Sequence, residues 1–204
     1  FRISKGLNFM ADTLDPVFQF NTFKIRTKLL SCLGRKFFIR DANDKDIGFV
    51  AQKAFKLKEE ITVFSDEAMQ DAQLRIKARS IMDVSATYDV TDSSTDETVG
   101  ALQRKGLKSI IRDEWAILDT EGNEVGKVLE DSGALALLRR FIKLIPQTFH
   151  VTIGDKQVGV IKQQFNPFIL AYDVDFTAAT DGDIDPRLVV ASVVLLLAIE
   201  GRQQ

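Results

Sequence analysis

Cysteine and histidine are almost missing from this chain: 204 residues hold one of each, Cys32 and His150. A single cysteine cannot close an intramolecular disulfide, and it suits a reducing compartment. One histidine and one cysteine cannot supply the ligand spacings of a zinc site. Cys32 sits in "LLSCLGRK" with no convincing histidine partner, and His150 falls within an expected strand, so neither reads as an activated nucleophile. Walker A, G-x-G-x-x-G and G-x-S-x-G sequences are absent too. "EGNEVGKV" has glycines and a lysine, but its spacing is that of a hairpin turn. Nothing selects a pair from the scattered carboxylates, and the expectation is a non-enzyme. An excess of one charge is also lacking. With 27 basic and 29 acidic side chains the net charge is −2, which gives no pull toward nucleic acid. No segment has the pattern of a signal peptide. The expected location is cytoplasmic, peripheral at a membrane if any lipid is bound.

The chain also lacks an apolar run long enough to cross a bilayer. Its longest, Leu188 to Ile199, is interrupted only by Ser192. As a helix it spans about 18 Å, against a hydrocarbon core of about 30 Å. Asp185 and Pro186 make a good helix start, and Gly201 stands where a terminating glycine would. A helix apolar on every side must be covered on every side. The run is therefore expected inside the protein, and whatever buries it must surround it.

What the chain does have is repetition. "FFIRDANDKDIGFV" (37–50), "YDVTDSSTDETVGAL" (88–102), "WAILDTEGNEVGKV" (115–128) and "FHVTIGDKQVGVI" (149–161) share one plan. An aromatic residue is followed two positions later by Ile or Val, then by polar turn residues, then by Ile or Val and Gly on a returning strand. Period two puts Phe37 with Ile39, Tyr88 with Val90, Trp115 with Ile117 and Phe149 with Val151 on one strand face. Asp41, Asp92 and Asp119 end the first three strands; Ile153 stands there in the fourth, whose turn is tighter. Further strands are expected at 22–30, 60–66, 73–80, 109–118 and 168–176, with a loop or helical turn at 66–71 and a second helix at 132–146.

About a dozen antiparallel strands leave two raw edges unless the sheet closes, and a barrel of that size needs a filling. The expected fold is mainly β: a closed antiparallel barrel of about twelve strands around a buried hydrophobic C-terminal helix. Residues 1–20 read as an N-terminal extension and 21–204 as a single domain. With "FKIRTKLLSCLGRKFFIRDANDKDIGFV", the repeated hairpins, "ARSIMDVSATYDV", "LKSIIRDEWAILD" and the closing helix, the chain resembles the tubby-like superfamily, close to its LURP-one-related and phospholipid-scramblase-related members. The resemblance covers roughly residues 20 to 200. It implies a twelve-stranded barrel enclosing a hydrophobic helix, and phospholipid binding rather than catalysis. A Pro-rich N-terminal arm and a cysteine cluster for acylation are not present.

Two groups of side chains stand out. Asp173, Asp175, Asp181, Asp183 and Asp185 crowd the segment before the helix. Oxygen-rich loops suit Ca²⁺, and scramblase-related proteins are similar in carrying an acidic, proposed calcium-binding stretch there. Pro186 and Ser192 stand where an EF-hand beginning at Asp181 would need Gly and Glu, and the plainer reading is a solvated loop whose last Asp caps the helix. The second group is basic. Arg75, Lys77 and Arg79 share one strand face, and Arg104, Lys105, Lys108 and Arg112 surround one connection. "LLRRFIKLIP" sets Arg139, Arg140 and Lys143 beside apolar neighbours, a combination suited to an anionic phospholipid surface; the alternative is an amphipathic helix covering core edges. The chain thus reads as a membrane-surface phospholipid-binding or scramblase-related protein, or else as a cytoplasmic scaffold for protein partners.

Overall fold

Four hairpins carry the sequence repeat into three dimensions. A computed structural model describes residues 15–27, 35–52, 60–79, 86–106, 113–131, 146–166 and 168–200. The repeated units are β2 (Arg35–Arg40) with β3 (Asp46–Gln52), β6 (Thr87–Asp92) with β7 (Thr98–Arg104), β8 (Glu114–Leu118) with β9 (Glu124–Glu130), and β10 (Thr148–Ile153) with β11 (Lys156–Gln163). In each, the branched residue of the first strand faces the glycine of the second: Ile39 and Gly48, Val90 and Gly100, Ile117 and Gly126, Val151 and Gly159. The register shifts immediately after each of these pairs. Such bulges bend a strand and raise its twist, and repeated around a sheet they curl it toward closure. Gly159 has a packing reason as well, since a Cβ there would lie 2.7 Å from the Phe176 ring.

The aspartates that end three of these strands are turn residues. Asp41 Oδ1 accepts the N–H groups of Asn43 (2.8 Å) and Lys45 (2.9 Å), and Asp119 Oδ1 those of Glu121 (2.9 Å) and Asn123 (2.8 Å). Asp92 Oδ1 does the same for Ser94 and Thr95. The carboxylate substitutes for a missing backbone partner and sets the turn. Each of the three turns also holds one residue in the left-handed region: Asp44, Asp96 and Gly122, the last at φ 89°. Nothing lies within 4 Å of a Cβ placed on Gly122. Gly122→Ala therefore isolates backbone strain, and should cost about 1 kcal/mol. A fall of about 2–4 °C in thermal midpoint is expected for a chain of this size. An unchanged midpoint would refute the turn assignment.

With β1 (Thr22–Thr27), β4 (Glu60–Phe64), β5 (Ala72–Ala78) and β12 (Ala171–Asp175) the strands close into one antiparallel barrel, in which β1 pairs with both β2 and β12. Strand alternation sends Phe37, Ile39, Tyr88, Val90, Trp115, Ile117, Phe149 and Val151 inward, all buried. They pack around α1 (Pro186–Glu200), whose side chains from Leu188 through Ile199 are buried as well. Asp185 Oδ1 accepts the Arg187 N–H at 2.8 Å, the N-cap expected of it. No described helix is long and apolar enough to cross a membrane.

Two boundaries moved. The core starts before residue 21, because Val17 and Phe18 in a 3-10 turn at Pro16–Phe18 are buried against the barrel interior. Residues 66–71 form a turn between β4 and β5, as expected. The last strand opens at Ala171 rather than at Phe168. The second expected helix, up to residue 145, the strand portions 28–30 and 109–112, and Gly201 lie outside the described residues.

Candidate functional site: the two mouths of the barrel

Because all the repeated hairpins run the same way, their turns gather at one mouth. The stretches there are "DANDK" (41–45), "SDEAMQD" (65–71), "SSTDE" (93–97), "DTEGN" (119–123), "GD" (154–155) and "FTAATDGDID" (176–185). Helix α1 enters the barrel at this mouth. Arg187, in its first turn, donates from Nη1 to Asp92 (2.8 Å) and from Nη2 to Asp185 (2.7 Å), which ties the helix to the β6–β7 turn. Burial pushes the Asp92 carboxyl up, but hydrogen bonds from Ser94, Arg187 and Thr95 outweigh it and hold the group at about 2. Asp15 goes the other way: burial, then the charges of Asp71 and Asp92, raise it. This mouth is acidic enough to act on its own members.

Of the five aspartates of the pre-helix segment, Asp173 lies halfway along β12 and the other four stand at or near this mouth; each has local work or open solvent. Asp173 and Asp175 sit on the outer face of β12. Asp173 accepts from Gln164 Nε2 at 2.8 Å and lies in register between Lys24 and Lys162. Asp175 accepts the Thr177 N–H and hydroxyl, which lower its carboxyl. Asp183 is held at about 2, first by the Lys156 ammonium 2.6 Å away and then by the Thr180 N–H and hydroxyl. Asp185 caps α1 and grips Arg187, while Asp181 is exposed. Among the described residues no three acidic, histidine or cysteine side chains converge on a point where a metal ion would be held. Proximity in sequence is split by strand alternation and by the turns.

The opposite mouth has a different character. Its inward positions are polar where the rest of the lumen is apolar. Arg104 Nη2 donates to Asp113 Oδ1 at 2.9 Å, and the Asp113 N–H donates to Glu130 Oε2 at 3.1 Å. Gln147 Nε2 reaches Glu130 Oε1 at 3.4 Å, and the Tyr172 hydroxyl donates to Gln147 Oε1 at 3.3 Å. Arg35 Nη1 donates to the Ala198 carbonyl at 3.0 Å, satisfying one of the last carbonyls of α1. The chain of bonds from Arg104 to Tyr172 links β7, β9 and β12 with the residues that lead into β8 and β10, its bonds to Asp113 and Glu130 being charge-assisted, and Arg35 separately ties β2 to the helix end. The sequence did signal it: counting by twos from Val128 sends Glu130 inward.

One connection at this mouth is described almost throughout, the β11–β12 loop. Its base is closed by the Gln164 N–H to the Ala171 carbonyl (2.8 Å), and the Thr27 N–H binds the Leu170 carbonyl (2.9 Å). Asn166 Oδ1 accepts the N–H groups of Phe168 (2.9 Å) and Ile169 (3.1 Å). The fixed turn presents Phe165 and Phe168 with 66% and 86% of their surface exposed. Phe168 looked like the first residue of a strand; Asn166-Pro167 ahead of it was the overlooked turn signal.

The basic candidates divide. Arg75, Lys77 and Arg79 do share the outer face of β5, but with counter-charges: Asp96 lies 3.7 Å from Arg75, Asp89 lies 2.7 Å from Arg79, and Glu60 pairs with Lys77 in register. Arg104 turns inward, and Lys105 meets Glu124 at 2.6 Å. Lys108, Arg112, Arg139, Arg140 and Lys143 lie outside the described residues, as does Cys32. His150 is on the outer side of β10, opposite Leu129 and Val160.

A closed twelve-stranded antiparallel barrel built around its own apolar helix is a tubby-like architecture. The chain belongs to the LURP-one-related family, a tubby-like relative, whose model matches residues 47–197, from β3 into α1. That membership fits a lipid-binding type of protein, and the family is not known as a catalytic one. A search of curated proteins and one of solved structures gave no match.

Proposed function

We propose that this protein binds anionic phospholipid at a membrane surface without catalysing a reaction, in the manner of a scramblase-related protein, and that it does so with the mouth opposite the hairpin turns. The observation that carries this reading is the division of charge along the barrel axis. The turns of one mouth are acidic almost without exception. The described strand ends that border 28–34, 53–59, 80–85, 107–112 and 132–145 lie at the other mouth and, with the residues beside them, carry Glu60, Asp113, Glu114, Glu130 and Asp131; by sequence the bordered stretches include the basic "KAFKLKE", "LKSIIR" and "LLRRFIKL". On this reading a net charge of −2 conceals two unlike ends. The negative potential of an anionic leaflet repels the acidic mouth and draws the other toward it.

Arg139, Arg140 and Lys143 are the proposed contact. At about 1 kcal/mol for each cation near an anionic surface, replacing all three with Gln removes about 3 kcal/mol, about two orders of magnitude in affinity. Co-sedimentation with phosphatidylserine-containing vesicles should show that loss. Parent binding should also fall as salt rises, because the Debye length shrinks from about 10 Å at 0.1 M to about 3 Å at 1 M. Neutral vesicles should bind little. If the triple variant binds as the parent does, the contact lies elsewhere. If the parent ignores anionic vesicles at low salt, the reading fails, and a cytoplasmic scaffold for protein partners takes its place.

A further inference from the structure

We infer that Phe165 and Phe168 form an aromatic wedge that enters the interfacial layer of an anionic bilayer and fixes the depth at which the barrel docks. The inference rests on the membrane-surface reading above and adds the element that inserts. Three observations carry it.

The first is exposure without a structural reason. Of the large apolar side chains that are exposed among the described residues, Phe20, Met69 and Val125 stay near 40%, while Phe165 and Phe168 reach 66% and 86%. The β11–β12 loop does not need them. Its turn is set by the Asn166 carboxamide, and its anchor is Leu170, buried beside β1. Polar residues at 165 and 168 would make the same turn and spare water two phenyl rings. A paired aromatic display of this kind marks a surface that is covered in use.

The second is rigidity. The loop is closed at its base by backbone hydrogen bonds to β12 and β1, and braced at its tip by Asn166. The rings are held forward before anything binds, so little ordering is left to oppose insertion.

The third is charge, which identifies the occupant as an anionic bilayer. The wedge stands at the mouth opposite the acidic turns; Lys162, exposed on β11 below it, is paired in register with Asp173, so the charge argument rests on the acidity of the far mouth. An anionic leaflet turns the acidic mouth away and so presents the wedge first. Exposed aromatic rings are side chains that settle at the level of lipid headgroups.

The test uses the intact chain with vesicles of phosphatidylcholine, with and without phosphatidylserine. Phe168→Trp reports insertion, because Trp115, the native indole, is buried in the barrel and stays constant. Its emission should shift to the blue on adding anionic vesicles and be quenched by brominated acyl chains, with neither change in the parent. Phe165→Ser with Phe168→Ser should weaken binding about tenfold or more, and should remove chiefly the part that survives high salt. Both variants should melt with the parent, since the rings are exposed; a large drop in midpoint would make the pair structural and overturn the wedge. If the parent binds, the introduced indole does not respond and the double variant binds like the parent, the wedge is wrong while the membrane-surface reading stands. If the parent does not bind at low salt, both fall, and the rings belong to a protein contact.

Discussion

Val194→Asp is expected to abolish the folded state. Val194 is fully buried on α1, inside a ring of inward-facing strand residues. A carboxylate placed there has no partner, and an unpaired buried charge costs several kcal/mol, close to the whole stability of an ordinary domain. Ser192, two residues earlier, shows what the lumen does accept: its hydroxyl donates to the Leu188 carbonyl at 2.7 Å. Val194→Thr can make the same bond within the helix and should remain folded, losing about 1–2 kcal/mol. Circular dichroism and urea titration of the two variants separate polarity from shape. A cooperatively folded, water-soluble Val194→Asp protein would show that the helix is not enclosed.

The second large effect concerns Arg187. Its guanidinium spans Asp92 and Asp185, and the side chains of Arg187 and Asp92 are only 21% and 11% exposed. Arg187→Met keeps the stem and removes the charge, leaving two carboxylates facing each other near Asp15. We expect a loss of about 2–3 kcal/mol, at or just below the foot of the range for breaking a fully buried pair, since this one is not wholly enclosed. The loss depends on pH. The Asp92 carboxyl lies at about 2 in the fold against an ordinary 3.8, so its contribution is fully present above 3.8 and disappears as pH falls toward 2 and below. That difference corresponds to about 2 kcal/mol. Urea midpoints of the parent should therefore fall between pH 4 and pH 2, and those of Arg187→Met should fall less. Equal acid limbs would mean that Asp92 gains nothing from the arginine.

Much of this architecture can be read from residue patterns, and the reason is physical. Phe37 with Ile39 and Trp115 with Ile117 alternate because a strand has period two, so the hairpins declare themselves locally. The run from Leu188 to Ile199 declares itself by having no polar side, which only enclosure allows. Val17 and Phe18 are different: three residues in a 3-10 turn have no period to read, and their burial depends on where β3 and α1 come to rest. The acidic segment shows the limit of counting along the chain. Its aspartates are neighbours in sequence, yet β12 aims two outward while the turns and the helix cap use others. Phe168 fails as a strand residue because Asn166 satisfies two N–H groups that a strand would have paired sideways. Local chemistry there outweighed apolar alternation.

Helix α1 follows all twelve strands in the chain, and β12, the strand that shuts the barrel against β1, comes just before it. During synthesis the hairpins can form early, since their contacts are local and fast. They cannot settle. Until residues 171–200 have been made, the growing sheet keeps two open edges and an uncovered apolar face, the features that invite aggregation in a nascent protein. The ribosome therefore delivers the plug and the clasp together, after the other eleven strands of the barrel. Strand closure and core filling both wait on one stretch of chain, residues 171–200.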